Sequence, residues 1–349
     1  MKSCLWMQSQ NNDKIKSGNF VFIKNLANGN VVSNTPYPIY DEAGKYEVKF
    51  SPAQTKFYYQ SSDMEIDTKI AISSEENLEV REISIKNVLN TMLNLDVMSY
   101  VEPVITYRNN DIVHPAYNNL FFRAIKYEDS VILEKRSHNG NLYYINFLIS
   151  EDNSREEIEL DKCKVIGRLK ELNSALILNQ DVAFSNDYSI STNTIISFKK
   201  NVKIGAGEKK KIMYYYGVSR DYNEILEMYR KYKIHDADKR LFEVAYSKSL
   251  VENRFLGYKG KDIIMYNKLF SVMNNNSTRD KYIEKIKKNK LKQSNLWRFG
   301  ISGDLPIIIV KINRVNDIYV VRDLMLAIEY FFKKRIFVDL VILNEEENR

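Results

Sequence analysis

The sequence predicts a mainly β protein with α additions: a large antiparallel β-sandwich, a helical connector, and a C-terminal βαβ segment. Three observations carry the prediction. Short strand-like runs separated by turn residues fill the first two thirds of the chain. The apolar period lengthens to that of helices at about Ser219, and the last segment reads strand, helix, strand. The expected organisation is a sandwich over 1–218, a connector over 219–295, and a partial α/β unit over 296–349.

The first elements are hairpins. "NFVFIKNLANGNVV" from Asn19 is two β-rich runs joined by an Asn-Gly turn, and "YEVKFSPAQTKFYYQ" alternates around a Ser-Pro break. "LEVREISIKNVLNTMLNLDVMSYVEPVI" (Leu78 to Ile105) alternates apolar and polar residues on either side of Asn-rich punctuation. "NTIISFKKNVKIGAGEKKKIMYYYGVS" closes the region with another strand pair around Gly205 and Gly207. Many short strands and few helical periods over about 200 residues fit one large antiparallel sandwich.

The helices come next. "RDYNEILEMYRKY" places Tyr222, Ile225, Leu226 and Tyr229 on one face, with Asp221 in the first turn. A second helix is expected from about Asp236, stopping at Gly257, and a third over "KDIIMYNKLFSVM". In "KYIEKIKKNKLK" (Lys281 to Lys292) apolar residues mark one side and lysines the rest, the pattern of a solvated helix. "LPIIIVKI", an amphipathic stretch to Phe337 and "VDLVIL" then make a βαβ crossover, which implies parallel pairing. Two parallel strands need more sheet and covering helices, so a longer parent protein is expected.

Composition narrows the function classes. The 349 residues are 44% apolar and carry a net charge of +7, with a pI near 9.0. A basic balance invites nucleic acid as a partner, but the densest lysine cluster reads as a solvated face, and no nucleic-acid partner is expected. Cys4 and Cys163 fit no CxxC or zinc spacing and read as free thiols in a reducing compartment. The start lacks a signal-peptide apolar core and no run approaches membrane-span length, so a cytoplasmic protein without a membrane partner is expected. His114, His138 and His235 are too scattered for metal-ligand spacing.

Several words of the sequence match a known family in order. "LWRFGISGDLPIIIVKI" (Leu296 to Ile312) with "VDLVILNE" resembles "GISGDLPIVLV … HEYW … VDLVILNE" of glycoside hydrolase family 94, specifically its cyclic β-1,2-glucan synthetases and β-1,2-oligoglucan phosphorylases. "VREISIKNVLNTMLNLDVMSYVEPVI" looks like the family's "V-R-R-V-S-L-T-N … E-V-T-S-Y-A-E" strand pair. "HPAYNNLFF" (His114 to Phe122) looks like "HPAFSKLFV", "DKCKVIGR" like "DRARFLGR", and "AYSKSLVENRFLG" like "AWAHSQVELRHLG". Arg298-Phe299 departs from the family's more usual Pro-His or Ala-Tyr. The resemblance implies a first supersandwich placed before a second sandwich and a catalytic (α/α)6 barrel that lies beyond Arg349. The family's activity is inverting phosphorolysis of β-1,2-glucosidic bonds to glucose 1-phosphate. Inorganic phosphate is thus co-substrate of the implied parent, no cofactor is expected, and no catalytic residue carries over.

Within the chain, an inverting hydrolase would need two carboxylates about 6.5 to 9.5 Å apart, and Asp111, Asp304 and Asp339 are the acids near aromatic residues. Asp304, before Leu-Pro at a strand entrance, reads first as a turn cap. Gly300 and Gly303 precede a strand rather than a helix, so a phosphate-cradling loop is excluded. The candidate carbohydrate contacts are His114, Tyr117, Trp297, Arg298, Ser302 and Asp304, which combine aromatic faces with polar groups. The expected partners are a β-glucan or oligosaccharide, the remainder of a larger enzyme, and a second copy in a homodimer. A purely structural or oligomerising module without sugar affinity is the alternative.

Overall fold

The structure is a computed structural model that describes residues 3–6, 18–51, 53–107, 113, 115–136, 140–150, 156–179, 181–234, 237–274 and 282–346. It divides into two compact units, Met1–Leu250 and Val251–Arg349.

In the first unit β1 (Ser3–Trp6) precedes β2 (Asn19–Asn25), β3 (Val31–Ser33), β4 (Lys45–Phe50), β5 (Gln54–Gln60), β6 (Met64–Ile72), β7 (Leu78–Asn87), β8 (Leu93–Val101) and β9 (Pro103–Tyr107). Helix α1 (Pro115–Asn119) leads to β10 (Phe122–Tyr127), β11 (Ser130–Lys135), β12 (Leu142–Ser150) and β13 (Glu157–Asp161). Short helices α2 (Lys162–Val165) and α3 (Leu176–Asn179) precede β14 (Thr194–Ile204) and β15 (Lys209–Ser219).

These strands build the expected sandwich. Eight pair in the order β10-β11-β12-β15-β7-β6-β5-β4 and five in the order β13-β14-β8-β2-β3, every ladder antiparallel. Strands β1 and β9 form a separate antiparallel pair. The Asn-Gly turn between β2 and β3 forms as its residues dictate: Gly29 takes a positive φ of 75° and the Asn25 N–H donates to the Asn30 carbonyl at 2.8 Å.

The turn at Gly205 and Gly207 differs from the pairing its sequence suggests. Strands β14 and β15 lie in different sheets, as do β7 and β8, so both turns are corners of the sandwich. Asn87, fully buried, ties the corners together by donating from Nδ2 to the carbonyls of Thr91, Ile204 and Gly205 at 2.7, 3.0 and 3.0 Å. Turn residues mark where the chain reverses but leave open which sheet it enters.

Three apolar layers result. Between the sheets, Val21, Ile23, Leu95, Val97 and Phe198 meet Ile66, Ile83, Ile85, Tyr144, Tyr214 and Tyr216. On the outer face of the larger sheet, Val80, Ile145, Phe147, Met213 and Tyr215 are covered by α4 (Tyr222–Tyr232). That helix forms because Asp221 caps it, its side chain accepting from the Asn223 N–H at 2.8 Å, and because Ile225, Met228, Tyr229 and Tyr232 recur on one face. The outer face of the smaller sheet, with Phe22, Met98, Tyr100 and Ile195, packs on Val165, Ile166, Leu172, Ala175, Ile177 and Phe184 of the α2–α3 segment.

Helix α5 (Ala237–Phe255) follows, and the division between the units falls within it. In the second unit α6 (Gly260–Asn274), α7 (Ile283–Lys287) and α8 (Ser294–Trp297) lead to β16 (Ile307–Ile312), α9 (Ile318–Lys333) and β17 (Asp339–Asn344). Strands β16 and β17 pair in parallel with Ile308 opposite Leu340, which makes the predicted βαβ crossover. The lysine-rich helix is shorter than its sequence suggests. It spans five residues and buries none of them, because six lysines in one short stretch leave too little apolar surface to hold more turns.

Candidate functional site

Four of the predicted contact residues share one turn in the second unit. Gly300 and Gly303 have φ of 73° and 76°, which fold the chain back on the end of α8. Gly303 is also sterically required, since a Cβ there would sit 2.9 Å from Gln293 Cγ and 3.0 Å from Leu296 Cδ1. Gln293 Nε2 donates to the Ser302 carbonyl and to Asp304 Oδ1, both at 2.9 Å, and Trp297 Nε1 donates to the Ser302 carbonyl at 3.3 Å. The Asp304 N–H donates to Ser302 Oγ at 3.2 Å. The polar groups of Ser302 and Asp304 therefore spend bonds on holding the turn, as a cap does.

The rings face outward. Trp297 and Phe299 are each 64% exposed, and the Arg298 guanidinium lies 4.6 Å from the Phe299 ring centroid. The turn thus offers an indole and a cation-covered phenyl to solvent, without a nucleophile–base pair. Asp339 begins β17, where its N–H donates to the Pro306 carbonyl at 2.9 Å. Asp111 lies outside the described residues.

Tyr117 belongs to the first unit. It sits on α1, 60% exposed, with its ring edge-on to Phe121 at 4.9 Å. Asn119 Nδ2 anchors that helix to the Thr192 carbonyl at 2.7 Å. His114, like His138 and His235, lies outside the described residues. Cys163 is a free, half-buried thiol.

Two of the clefts among the described residues lie on the first unit. One, of about 240 Å³, is lined by Ser73, Glu75, Lys231, Tyr232, Arg240 and Leu241. The other, of about 340 Å³, is lined by Lys162, Cys163, Arg168, Lys170, Glu171 and Asn193, with Lys162 already paired to the buried Glu102 at 2.9 Å. Among the described lining residues each has one carboxylate, Glu75 and Glu171 respectively. Among the described residues no three His, Cys, Asp or Glu side chains gather as metal ligands, and no helix is long and apolar enough to cross a membrane.

Sequence reading missed the most concentrated polar chemistry, which lies inside the sandwich. Arg81 and Glu79 are 6% and 5% exposed and pair at 2.7 Å from Nε to Oε1. Arg81 Nη1 also donates to the Asn19 carbonyl of the opposite sheet at 2.8 Å, and its guanidinium sits 5.6 Å from the Tyr216 ring centroid. Tyr216 donates to Asn19 Oδ1 at 3.3 Å. Burial disfavours the guanidinium charge, but Glu79, with Tyr216 and Tyr144, outweighs that effect and the Arg81 pKa ends above its ordinary value. Burial pushes the Tyr216 hydroxyl up to about 12, the Arg81 charge opposing it. A second ion pair, buried Lys200 with half-buried Glu156 at 2.8 Å, lies elsewhere in the same unit. The network is enclosed and bridges the two sheets, so its chemistry is that of a structural clamp.

Comparison with known proteins places this geometry. The family profile "Glycosyl hydrolase 94, supersandwich domain" matches residues 6–235. The chain is similar to the cyclic beta-(1,2)-glucan synthase NdvB of Rhizobium meliloti (strain 1021), 24% identical over 339 residues. That alignment covers 95% of this chain and 12% of the synthase, so the chain spans about an eighth of that relative's length. Among solved structures it is similar to a bacterial glucoamylase complexed with acarbose, with TM-score 0.42 and 11% identity over 68% of this chain and 32% of that one. It is also similar to a polysaccharide lyase, with TM-score 0.36 and 14% identity over 66% of this chain and 30% of that one.

Proposed function

This chain belongs to glycosyl hydrolase family 94, and from that premise we propose that it is the amino-terminal, non-catalytic scaffold of a β-1,2-glucan phosphorylase or cyclic β-1,2-glucan synthase-like enzyme. The observation that carries the reading is the extent of the matches. The supersandwich profile takes residues 6–235, while the alignment with a glucan synthase runs over 95% of the chain but only 12% of the synthase. The chain corresponds to one structural part of such an enzyme, and the barrel that holds the acid and the inorganic phosphate belongs to the remainder.

The interior supports a scaffold role. The buried Glu79–Arg81 pair of the sandwich is engaged in joining its sheets. The outward Trp297 ring and the Arg298–Phe299 pair are the proposed sugar contacts of the second unit, with Tyr117 that of the first.

The decisive assay incubates the chain with linear β-1,2-glucan and inorganic phosphate. The expected result is no glucose 1-phosphate, and clear turnover would overturn the scaffold reading. Calorimetric titration with linear β-1,2-glucans then separates a glucan-binding scaffold, which saturates, from a structural or oligomerising module, which gives no heat.

A further inference from the structure

The two sheets are unequal, and the inequality exposes a strip of the inner face. Registers align Tyr46 with Tyr59, Ile66 and Ile85, and Val48 with Phe57, Thr68 and Ile83, across β4, β5, β6 and β7. The β6 and β7 isoleucines of these rows lie in the core between the sheets, and Tyr46 packs at its rim. Farther along β4 on the same face, Val48 is 38% and Phe50 72% exposed. The larger sheet therefore overhangs the smaller one at its β4 edge.

The loop from β3 to β4 lines this overhang with tyrosines. It passes under β6, where Thr68 Oγ1 donates to the Asn34 carbonyl at 3.5 Å. Ser33 Oγ donates to the carbonyls of Thr35 and Ile39 at 2.7 and 3.0 Å, and Pro38 is buried, so the loop is fixed at both points. The Tyr40 ring stacks on Tyr46 with centroids 5.2 Å apart and planes 21° apart, and Tyr46 leans on Tyr59 at 5.0 Å. The Tyr59 hydroxyl donates to Asp41 Oδ2 at 2.7 Å, and the Asp41 N–H donates to the Tyr46 hydroxyl oxygen at 3.0 Å. One face of Tyr40 is thus held by a hydrogen-bonded ring stack, while Tyr40 and Tyr37 each remain 58% exposed.

We propose that this shelf of Tyr40, Tyr46, Val48 and Phe50 binds a segment of neutral glucan chain, an inference that rests on the glucan reading above. Pre-ordered aromatic faces suit the C–H faces of pyranose rings, and rings already locked by neighbours lose little freedom on binding. Flanking Glu42 and the tyrosine hydroxyls supply acceptors and donors for sugar hydroxyls. Side chains two apart on β4 are spaced about 7 Å, which makes an elongated strip rather than a pocket. Four such side chains fall well short of the roughly 800 Å² per partner of a stable protein interface, which favours a sugar chain over a protein.

Calorimetry of the full chain with linear β-1,2-, β-1,3- and β-1,4-gluco-oligosaccharides tests the site, with Tyr40→Ala, Phe50→Ala and Trp297→Ala compared and circular dichroism checking that each folds. The expected result is saturable binding of the β-1,2 oligosaccharides, weakened about tenfold or more by Tyr40→Ala and by Phe50→Ala. Binding unchanged in both variants, or lost only in Trp297→Ala, overturns the shelf and leaves the glucan reading standing. Binding of another linkage alone, weakened by Tyr40→Ala, keeps a glucan shelf and overturns the β-1,2 assignment. Absence of binding to every oligosaccharide overturns the shelf outright.

Discussion

Replacing Arg81 with methionine tests whether the buried clamp holds the sandwich. Methionine keeps much of the side-chain length and apolar packing but removes the charge and every donor. Three losses follow from the structure: the 2.7 Å pair with Glu79, the 2.8 Å bond to the Asn19 carbonyl, and the contact with the Tyr216 ring. Glu79, 5% exposed, is left as a buried carboxylate without its counter-charge. Breaking a buried pair from one side costs about 3–5 kcal/mol, against a total stability of roughly 5–15 kcal/mol for a domain. At about 2–3 kcal/mol per molar of urea, the unfolding midpoint should fall by roughly 1.5 M, read by near-ultraviolet circular dichroism of the core tyrosines.

A second variant fixes the cause. A double replacement, Glu79→Leu with Arg81→Met, removes both charges and should recover most of the midpoint. A loss below about 1 kcal/mol for Arg81→Met, or a double variant no better than the single one, would refute the clamp.

Other outcomes follow from the same structure. Tyr216, raised from 10.0 to about 12, stabilises the fold fully below pH 10 and loses that contribution, about 3 kcal/mol, as pH rises towards 12; the urea midpoint should fall over that range, and less steeply in Tyr216→Phe. Ile225→Ala, at a fully buried site, should cost about 2–4 kcal/mol in urea titration by opening a cavity between α4 and the larger sheet. Gly303→Ala should destabilise the second unit by about 2 kcal/mol or more in thermal melts, because the new methyl meets Gln293 and Leu296 at a positive φ. Gly300→Ala, with the same sign of φ but nothing within 4 Å, should cost about half as much.

Much of the fold was legible because local chemistry and tertiary demand agree. The Asn-Gly hairpin, the capped α4 face and the βαβ crossover each need only residues within one short window. In β7 the alternation carries less information than it suggests. Leu78 and Val80 face α4, whereas Ile83 and Ile85 face the core, so the apolar phase changes along one unbroken ladder. Both faces of that strand are buried at different ends, and Glu79 and Arg81, at positions that read as solvent-facing, meet inside the sandwich. A charged pair two residues apart in a strand puts both groups on one face, which is the signal that could have found the clamp.

The contact residues show a different limit. Trp297, Arg298, Ser302 and Asp304 are near neighbours in sequence, so one turn gathers them whatever the rest of the chain does. The Tyr40–Phe50 shelf has another origin. Tyr40 meets Tyr46 through a local stack, but Phe50 is exposed at the end of the edge strand of an eight-stranded sheet that packs on a five-stranded one, an arrangement that no window of sequence contains. Alternation marks Val48 and Phe50 as inner-face residues, and in a matched sandwich they would be core. Whether an inner-face aromatic packs or binds is therefore decided by the width of the opposing sheet, and in this chain that sheet ends before it reaches β4.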